Sequence, residues 1–350
     1  MPGRSRQSKC QRTFQSKCQR TSRIAVSVAI AAALAVATTG CGDETTADAD
    51  PIAQIKAAAK VNPADFPQTD GAKNFAAIRS EAKAGDGTSL LPAANDIVAG
   101  RVNRFPFGLF SIDRKPIWGP TVIYIAESSK SPAQGPFAVA AHALDVPKEF
   151  RSVTSASDYD TIGSGFYTAI FNAGKDVRKM NLMSLTKTSD GFESASSGVV
   201  LRSDDPAPAP GEKAPAIKTD TLEDGTVADI DTRKPPSGMH DISLDDALKQ
   251  KKPVVLLFAT PLLCASRICG PVIDVAAQVR AKVGDKAIFV HQEIFKDNDP
   301  DAGYRPQIAK YGLTSEPFTF VIDKNGRVSS QLQGPFVAAE LEAALKLAGV

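Results

Sequence analysis

Residues 253–272 read PVVLLFATPLLCASRICGPV, and this stretch decides what the C-terminal third of the chain can be. The uninterrupted apolar run at 254–259 suits a short strand covered on both faces, as a central strand requires. Two cysteines follow, Cys264 and Cys269. After them PVIDVAAQVRAKVGD (271–285) sets Val272, Val275, Ala276 and Val279 at helical spacing. Inside one continuous helix the two cysteines would lie about 7.5 Å apart along the axis alone. A disulfide needs its Cα atoms within roughly 7 Å. For the two to bridge, Cys264 must lie in the turn before the helix, or the helix must begin late.

The flanking segments extend this pattern. SLDDALKQKK (243–252) predicts a helix with Ser243 and Asp246 spaced as a capping box and basic residues at its far end. KAIFVHQEIF is a second strand and RPQIAKYGL a short helix. EPFTFVIDKNGRVSSQL reads as a hairpin whose Asn325-Gly326 suits a type I′ turn. VAAELEAALKLA closes the chain as an amphipathic helix. The order is βαβ, then a hairpin, then a helix.

That order, with the punctuation of YGLTSEPFTFVIDKNGRV (311–328), resembles the thioredoxin-like fold superfamily over residues 240–350, about a third of the chain. The resemblance implies that Pro317 is the cis-proline facing the active-site cysteines, with Glu316 and Pro317 as substrate-binding positions. A trans proline opening a strand is the alternative. It also implies that Cys264 and Cys269 are the catalytic pair. The spacing departs from the family, being Cys-x4-Cys rather than Cys-x-x-Cys, and Leu257 stands where the family buries an aspartate. His291 and Glu293 alternate onto one strand face and could replace that acid. Two registers compete. In one, Cys264 is the nucleophile and Cys269 resolves the mixed disulfide. In the other, Cys269 of "CGPV" attacks and Pro271 is the first helical residue. The first keeps the strand-to-helix spacing and is preferred.

The N-terminus indicates where such chemistry would operate. Seven Lys/Arg and no acid fall in residues 1–23, followed by the apolar run IAVSVAIAAALAVA (24–37). This has the length of a signal-peptide core and is short for a membrane span. The segment ending TTGCGDE resembles the lipobox of bacterial lipoproteins, with Cys41 as the lipidated residue, although Thr38 stands where Leu or Val is usual. Residues 1–40 are then a signal peptide that carries away Cys10 and Cys18. Of five cysteines, only Cys264 and Cys269 remain as thiols, in a compartment where disulfides persist. Removing the leader takes the formal charge from +2 to −5, which argues against nucleic acid as a partner.

Between these ends, residues 41–85 read as a lipidated tether. Residues 86–203 form short β-branched and aromatic runs with regular turn signals, as in an antiparallel β-sandwich. Residues 204–237, with DDPAPAPGEKAPA and TRKPPSG, read as a semi-rigid Pro-rich linker. Residues 238–350 form the α/β thioredoxin-like domain. His142 and His240 are expected as surface or loop residues, and Trp118 as a turn or core anchor.

The expected protein is an extracytoplasmic lipoprotein, anchored to the cell membrane by a palmitate-type lipid, with a redox-active disulfide and no cofactor or resident metal. Its expected partners are cysteine-containing envelope proteins or a membrane thiol reductant. Two other readings stay open. One is a redox-inert thioredoxin-like binding module with a structural disulfide. The other is a Cu(I)-handling protein using both thiols and His291, since soft thiolates suit Cu(I).

Overall fold

The computed structural model describes residues 50–155, 164–175, 179–264 and 267–350. The expected signal peptide and Cys10, Cys18 and Cys41 lie outside the described residues. Among the described residues, no helix is long and apolar enough to cross a membrane.

The chain enters through helix α1 (Pro51–Ala58), where Asp50 caps the Ile52 N–H at 3.0 Å and Pro51 opens the first turn. Helix α2 (Phe75–Ala82) follows. Ile55, Phe66, Phe75 and Ile78 are all buried. Residues 50–85, expected as a tether, thus pack on the fold.

Next come strands β1 (Thr88–Pro92), β2 (Ile97–Val98), β3 (Val102–Ser111), β4 (Thr121–Ala126) and β5 (Gln134–Ala143). They are followed by β6 (Gly165–Asn172), β7 (Lys179–Thr188) and β8 (Gly191–Arg202). The expected pair of facing sheets is instead one curled eight-stranded sheet, ordered β1-β3-β6-β5-β4-β7-β8-β2. Its continuity comes from β5, whose first half pairs with β4 and second half with β6. Strand alternation explains why TVIYIA of β4 is buried throughout. Ile123 and Ile125 join the sheet's inner core with Phe105, Phe107 and Tyr167. Val122, Tyr124 and Ala126 meet Phe66, Phe75 and Ile78 outside. Trp118 packs on Tyr167 with ring centroids 5.1 Å apart.

The C-terminal half comprises α3 (Val227–Ile230), α4 (Leu244–Lys249), β9 (Val254–Phe258), α5 (Cys269–Val283) and β10 (Ile288–Gln292). It ends with α6 (Pro306–Lys310), β11 (Phe318–Ile322), β12 (Val328–Gln333) and α7 (Ala338–Leu347). The sheet order is β10-β9-β11-β12, with β10 parallel and β11 antiparallel to β9. This is a thioredoxin-like arrangement. Every residue of β9 is buried because its faces serve two cores. Val255 and Leu257 pack toward α5 and α7, while Val254, Leu256 and Phe258 pack with Leu244, Ile308 and Tyr311.

Two local expectations change. Ser243 is the N-cap of α4, but its hydroxyl bonds Asp245 and accepts from the Thr219 N–H at 2.9 Å, so the Ser243/Asp246 box does not form. In the hairpin, Gly326 has φ 73° while Asn325 stays out of the left-handed region, so a type I′ turn is excluded. The Asp323 carboxylate accepts from the Asn325 and Arg327 N–H groups at 2.8 and 2.9 Å and fixes a different turn.

The halves are joined through contacts that a spacer would not make. Ala214 and Ile217 of the Pro-rich segment are core residues, and Arg233 is buried. Leu144, Val146 and Phe166 from the β half share a core with Val272 and Ile273 of α5. Arg104 of β3 holds Glu340 of α7 through two hydrogen bonds, at 2.9 and 3.1 Å, and donates to the carbonyls of Gln333 and Pro335 at 2.9 and 2.6 Å. Buried Asp96 accepts from Arg202, Thr314 and Gln333.

Candidate functional site

The site grows from the C-terminal end of β9. The chain leaves the sheet at Ala259, turns through Thr260–Leu263, and re-enters regular structure at Cys269, the first residue of α5. Cys264 therefore lies in the turn before the helix. Neither cysteine is held in a disulfide. Their sulfurs and a Glu316 carboxylate oxygen all lie within 4.8 Å of one another. The Glu316–Pro317 peptide bond is cis, and Phe318 begins β11 directly after it. The Pro317 carbonyl accepts from the Gly334 N–H at 2.9 Å.

The two thiols differ in setting. Cys264 is 9% exposed and Cys269 wholly buried. A helix N-terminus ordinarily lowers a thiol pKa. At Cys269 burial dominates and pushes the thiol up, reinforced by the hydrogen bond with Cys264 and by the Cys264 and Glu316 charges, against the Thr260 backbone N–H. Glu316 is pushed up to about 8, first by burial and then by the charges of Cys264 and Glu293, while the hydrogen bond from Cys269 opposes the shift. Its Oε2 has no hydrogen-bond partner among the described residues. The result is a carboxyl that exchanges a proton near neutrality beside a buried thiol.

The β half reaches this corner. Gly270 follows Cys269, and a Cβ there would come within 2.5 Å of the Ser155 Cβ. Asp274, one turn further along α5, is buried and accepts from the Ser152 N–H at 3.0 Å, the Ser155 hydroxyl at 2.9 Å and Arg233 Nε at 2.8 Å. A cleft of about 420 Å³ lined by Phe107, Phe110, Leu144 and Phe166 opens beside Arg267 and Ile268, which directly precede Cys269.

His291 does not join the thiols. Its Nε2 bonds the Ala259 carbonyl at 3.0 Å and its Nδ1 faces His240 Nε2 at 3.1 Å, with Asp231 alongside. The thiol-plus-His291 ligand set imagined for Cu(I) is therefore not assembled. His240, expected as a surface or loop residue, is only 3% exposed. Glu293 does approach the site closely enough for its charge to act on Glu316. Sequence reasoning placed Glu316 as a substrate contact and missed its approach to the thiols. The visible signal was an acid immediately before a proline in an otherwise apolar strand entry.

No family model matches the chain, and no curated protein matches it. Several solved structures are similar to part of it. A DsbF homologue from Corynebacterium diphtheriae shares 21% identity, over 40% of this chain and 90% of that one, with a TM-score of 0.29. A thiol:disulfide interchange protein of the thioredoxin family from Chlorobium tepidum shares 20%, over 41% and 97%, with a TM-score of 0.28. StoA from Bacillus subtilis shares 15%, over 37% and 99%, with a TM-score of 0.26. The thioredoxin-like architecture of the C-terminal half follows from its own strand order and connections.

Proposed function

We propose that the protein is a thiol–disulfide oxidoreductase, exported and held at the outer face of the cell membrane by a lipid on Cys41. The observation that carries the redox reading is the convergence of Cys264, Cys269 and the Glu316 carboxyl within 4.8 Å at the start of α5. Cys264, the more accessible thiol, attacks as thiolate. One substrate sulfur joins it in a mixed disulfide, and the other leaves as a thiolate and takes up a proton. Cys269 then gives its proton to the Glu316 carboxylate and attacks Cys264 Sγ. This releases the second substrate thiolate and leaves a Cys264–Cys269 disulfide. Two electrons have passed from the protein to the substrate, and the reverse sequence oxidises a dithiol partner. A buried thiol needs a base within reach, and the Glu316 carboxylate, within 4.8 Å of it, supplies one. Glu316, beside the thiols, and the adjoining Pro317 form the substrate-binding edge in this reading. The substrates are cysteine-containing envelope proteins or a membrane thiol reductant.

The test is thiol–disulfide exchange against a small disulfide and a reduced protein substrate, comparing wild type with Cys264→Ser. Wild type should turn over, and the variant should lose at least 100-fold. A wild type that forms the internal disulfide but exchanges with neither substrate contradicts the reading. Membrane attachment is checked separately, since Cys41→Ser should release the protein from the membrane fraction.

A further inference from the structure

We infer that Asp231, His240 and His291 form a buried binding site for one divalent transition-metal ion of the zinc class. The site is independent of the thiol chemistry proposed above. The inference begins with hydrogen counting. His240 Nδ1 lies 3.1 Å from the Asp220 carbonyl, and His291 Nε2 lies 3.0 Å from the Ala259 carbonyl. Carbonyl oxygens only accept, so each of these nitrogens carries its ring's proton. In neutral rings the remaining nitrogens, His240 Nε2 and His291 Nδ1, are then bare lone pairs, and they face each other at 3.1 Å. Two lone pairs at that distance repel unless an electrophile lies between them.

The carboxylate indicates which electrophile. Asp231 Oδ2 lies 3.5 Å from His240 Nε2, and Oδ1 lies 3.9 Å from His291 Nδ1. These are long for direct hydrogen bonds. A bridging proton would satisfy the two rings and leave the carboxylate oxygens without a partner on that side. Donors that share one zinc ion at 2.0–2.2 Å in tetrahedral geometry are instead separated by about 3.4 Å; here the two nitrogens are 3.1 Å apart, each lies 3.5 or 3.9 Å from one oxygen of the carboxylate, and one donor atom from each residue falls within 4.8 Å of the others. The second layer has the form metal sites use. Each imidazole donates its distal N–H to a carbonyl, which fixes tautomer and ring orientation. The carboxylate is oriented by the Arg233 N–H at 3.0 Å and the Ser237 N–H at 2.6 Å. All three side chains are at least 95% buried. Nearby, the buried Oε2 of Glu293 has no hydrogen-bond partner among the described residues. Its charge acts on His291, so it is an orphan acceptor beside the cluster. Two imidazoles and a carboxylate suit zinc-like ions rather than magnesium or calcium. Such an ion would pin the end of α3 and the 237–241 segment to β10, contributing to folding as structural zinc does.

The test uses the full chain with all its cysteines alkylated, stripped with a chelator, supplied with Zn(II) and desalted. One zinc per chain should be retained, with X-ray absorption showing a nitrogen/oxygen shell at about 2.0 Å and no sulfur. Zinc should raise the melting temperature of wild type. His240→Gln and His291→Gln should each lose the ion and that rise. If either variant fails to fold, the wild-type stoichiometry and coordination shell decide. Retention of no zinc, or zinc held only before alkylation, overturns the assignment and leaves a proton shared between the two rings.

Discussion

Two clusters of the C-terminal half each bring three polar side chains within 4.8 Å, and they are built in opposite ways. The thiol cluster draws two members from one turn and the helix start that follows it, five residues apart. It keeps Cys264 at the edge of solvent and sets its carboxyl in a place that raises its pKa to about 8. The imidazole cluster draws Asp231, His240 and His291 from three segments, seals all of them, and ties every distal nitrogen to a backbone carbonyl. The first arrangement leaves protons free to move and one sulfur reachable, as exchange chemistry needs. The second fixes every donor and excludes water, as a structural site needs. Accessibility of one member, more than the chemistry of the three, separates a reactive cluster from a structural one.

The largest stability effect should come from the joint between the halves. Arg104→Ala removes the paired contacts with Glu340 and two further hydrogen bonds to carbonyls. It leaves Glu340, 21% exposed on its side chain, without its partner. A loss of about 3 kcal/mol is expected in denaturant unfolding. Calorimetry should still show one transition, because Leu144, Val146 and Phe166 share a core with α5. Two resolved transitions in wild type would show that the β half and the thioredoxin-like half fold separately.

A smaller effect tests how tightly the β half seats against the thiol helix. Gly270→Ala places a Cβ where Ser155 already sits and should cost about 1–3 kcal/mol. It should also slow exchange by shifting Cys269. Unchanged stability would mean that the Ser152–Ser155 segment does not rest on the start of α5.

The subtlest effect is a pH dependence. Glu316 has a folded pKa near 8, above its ordinary value of 4.5. The folded state therefore binds the proton more tightly than the unfolded chain between those values. Its contribution to stability is fully present below about pH 4.5 and is lost as pH rises through 8. Glu316→Gln should flatten this limb of the stability profile and also remove a limb near pH 8 from the rate of the resolving step. If the slope between pH 5 and 8 is the same in both proteins, Glu316 is not the group that titrates.

These contrasts also show where the sequence was legible. The β9–α5 unit, the hairpin and α7 follow from local apolar periodicity and appear where the pattern put them. Cys264 before the helix followed from helix rise against disulfide reach. The eight-stranded sheet could not be read this way, because β3 pairs with β6 across a long insertion, and strand order is set by such distant pairings. His240 and Asp231 were hidden for a related reason. They lie in or beside a Pro- and Ala-rich stretch whose composition suggests a spacer, and only the fold brings them to His291. Ala214, Ile217 and Ile230 were the residues in that stretch that marked it as core.

The central claim is that Cys264 attacks and buried Cys269 resolves. It is tested most directly by expressing Cys269→Ala and Cys264→Ala in the native host, quenching with acid and alkylating. Non-reducing gels then count mixed disulfides. The account predicts reductant-sensitive covalent complexes in Cys269→Ala and none in Cys264→Ala, because only the first variant retains the attacking thiol and lacks the internal one that releases the substrate. Complexes in Cys264→Ala alone, or in neither variant, would contradict it.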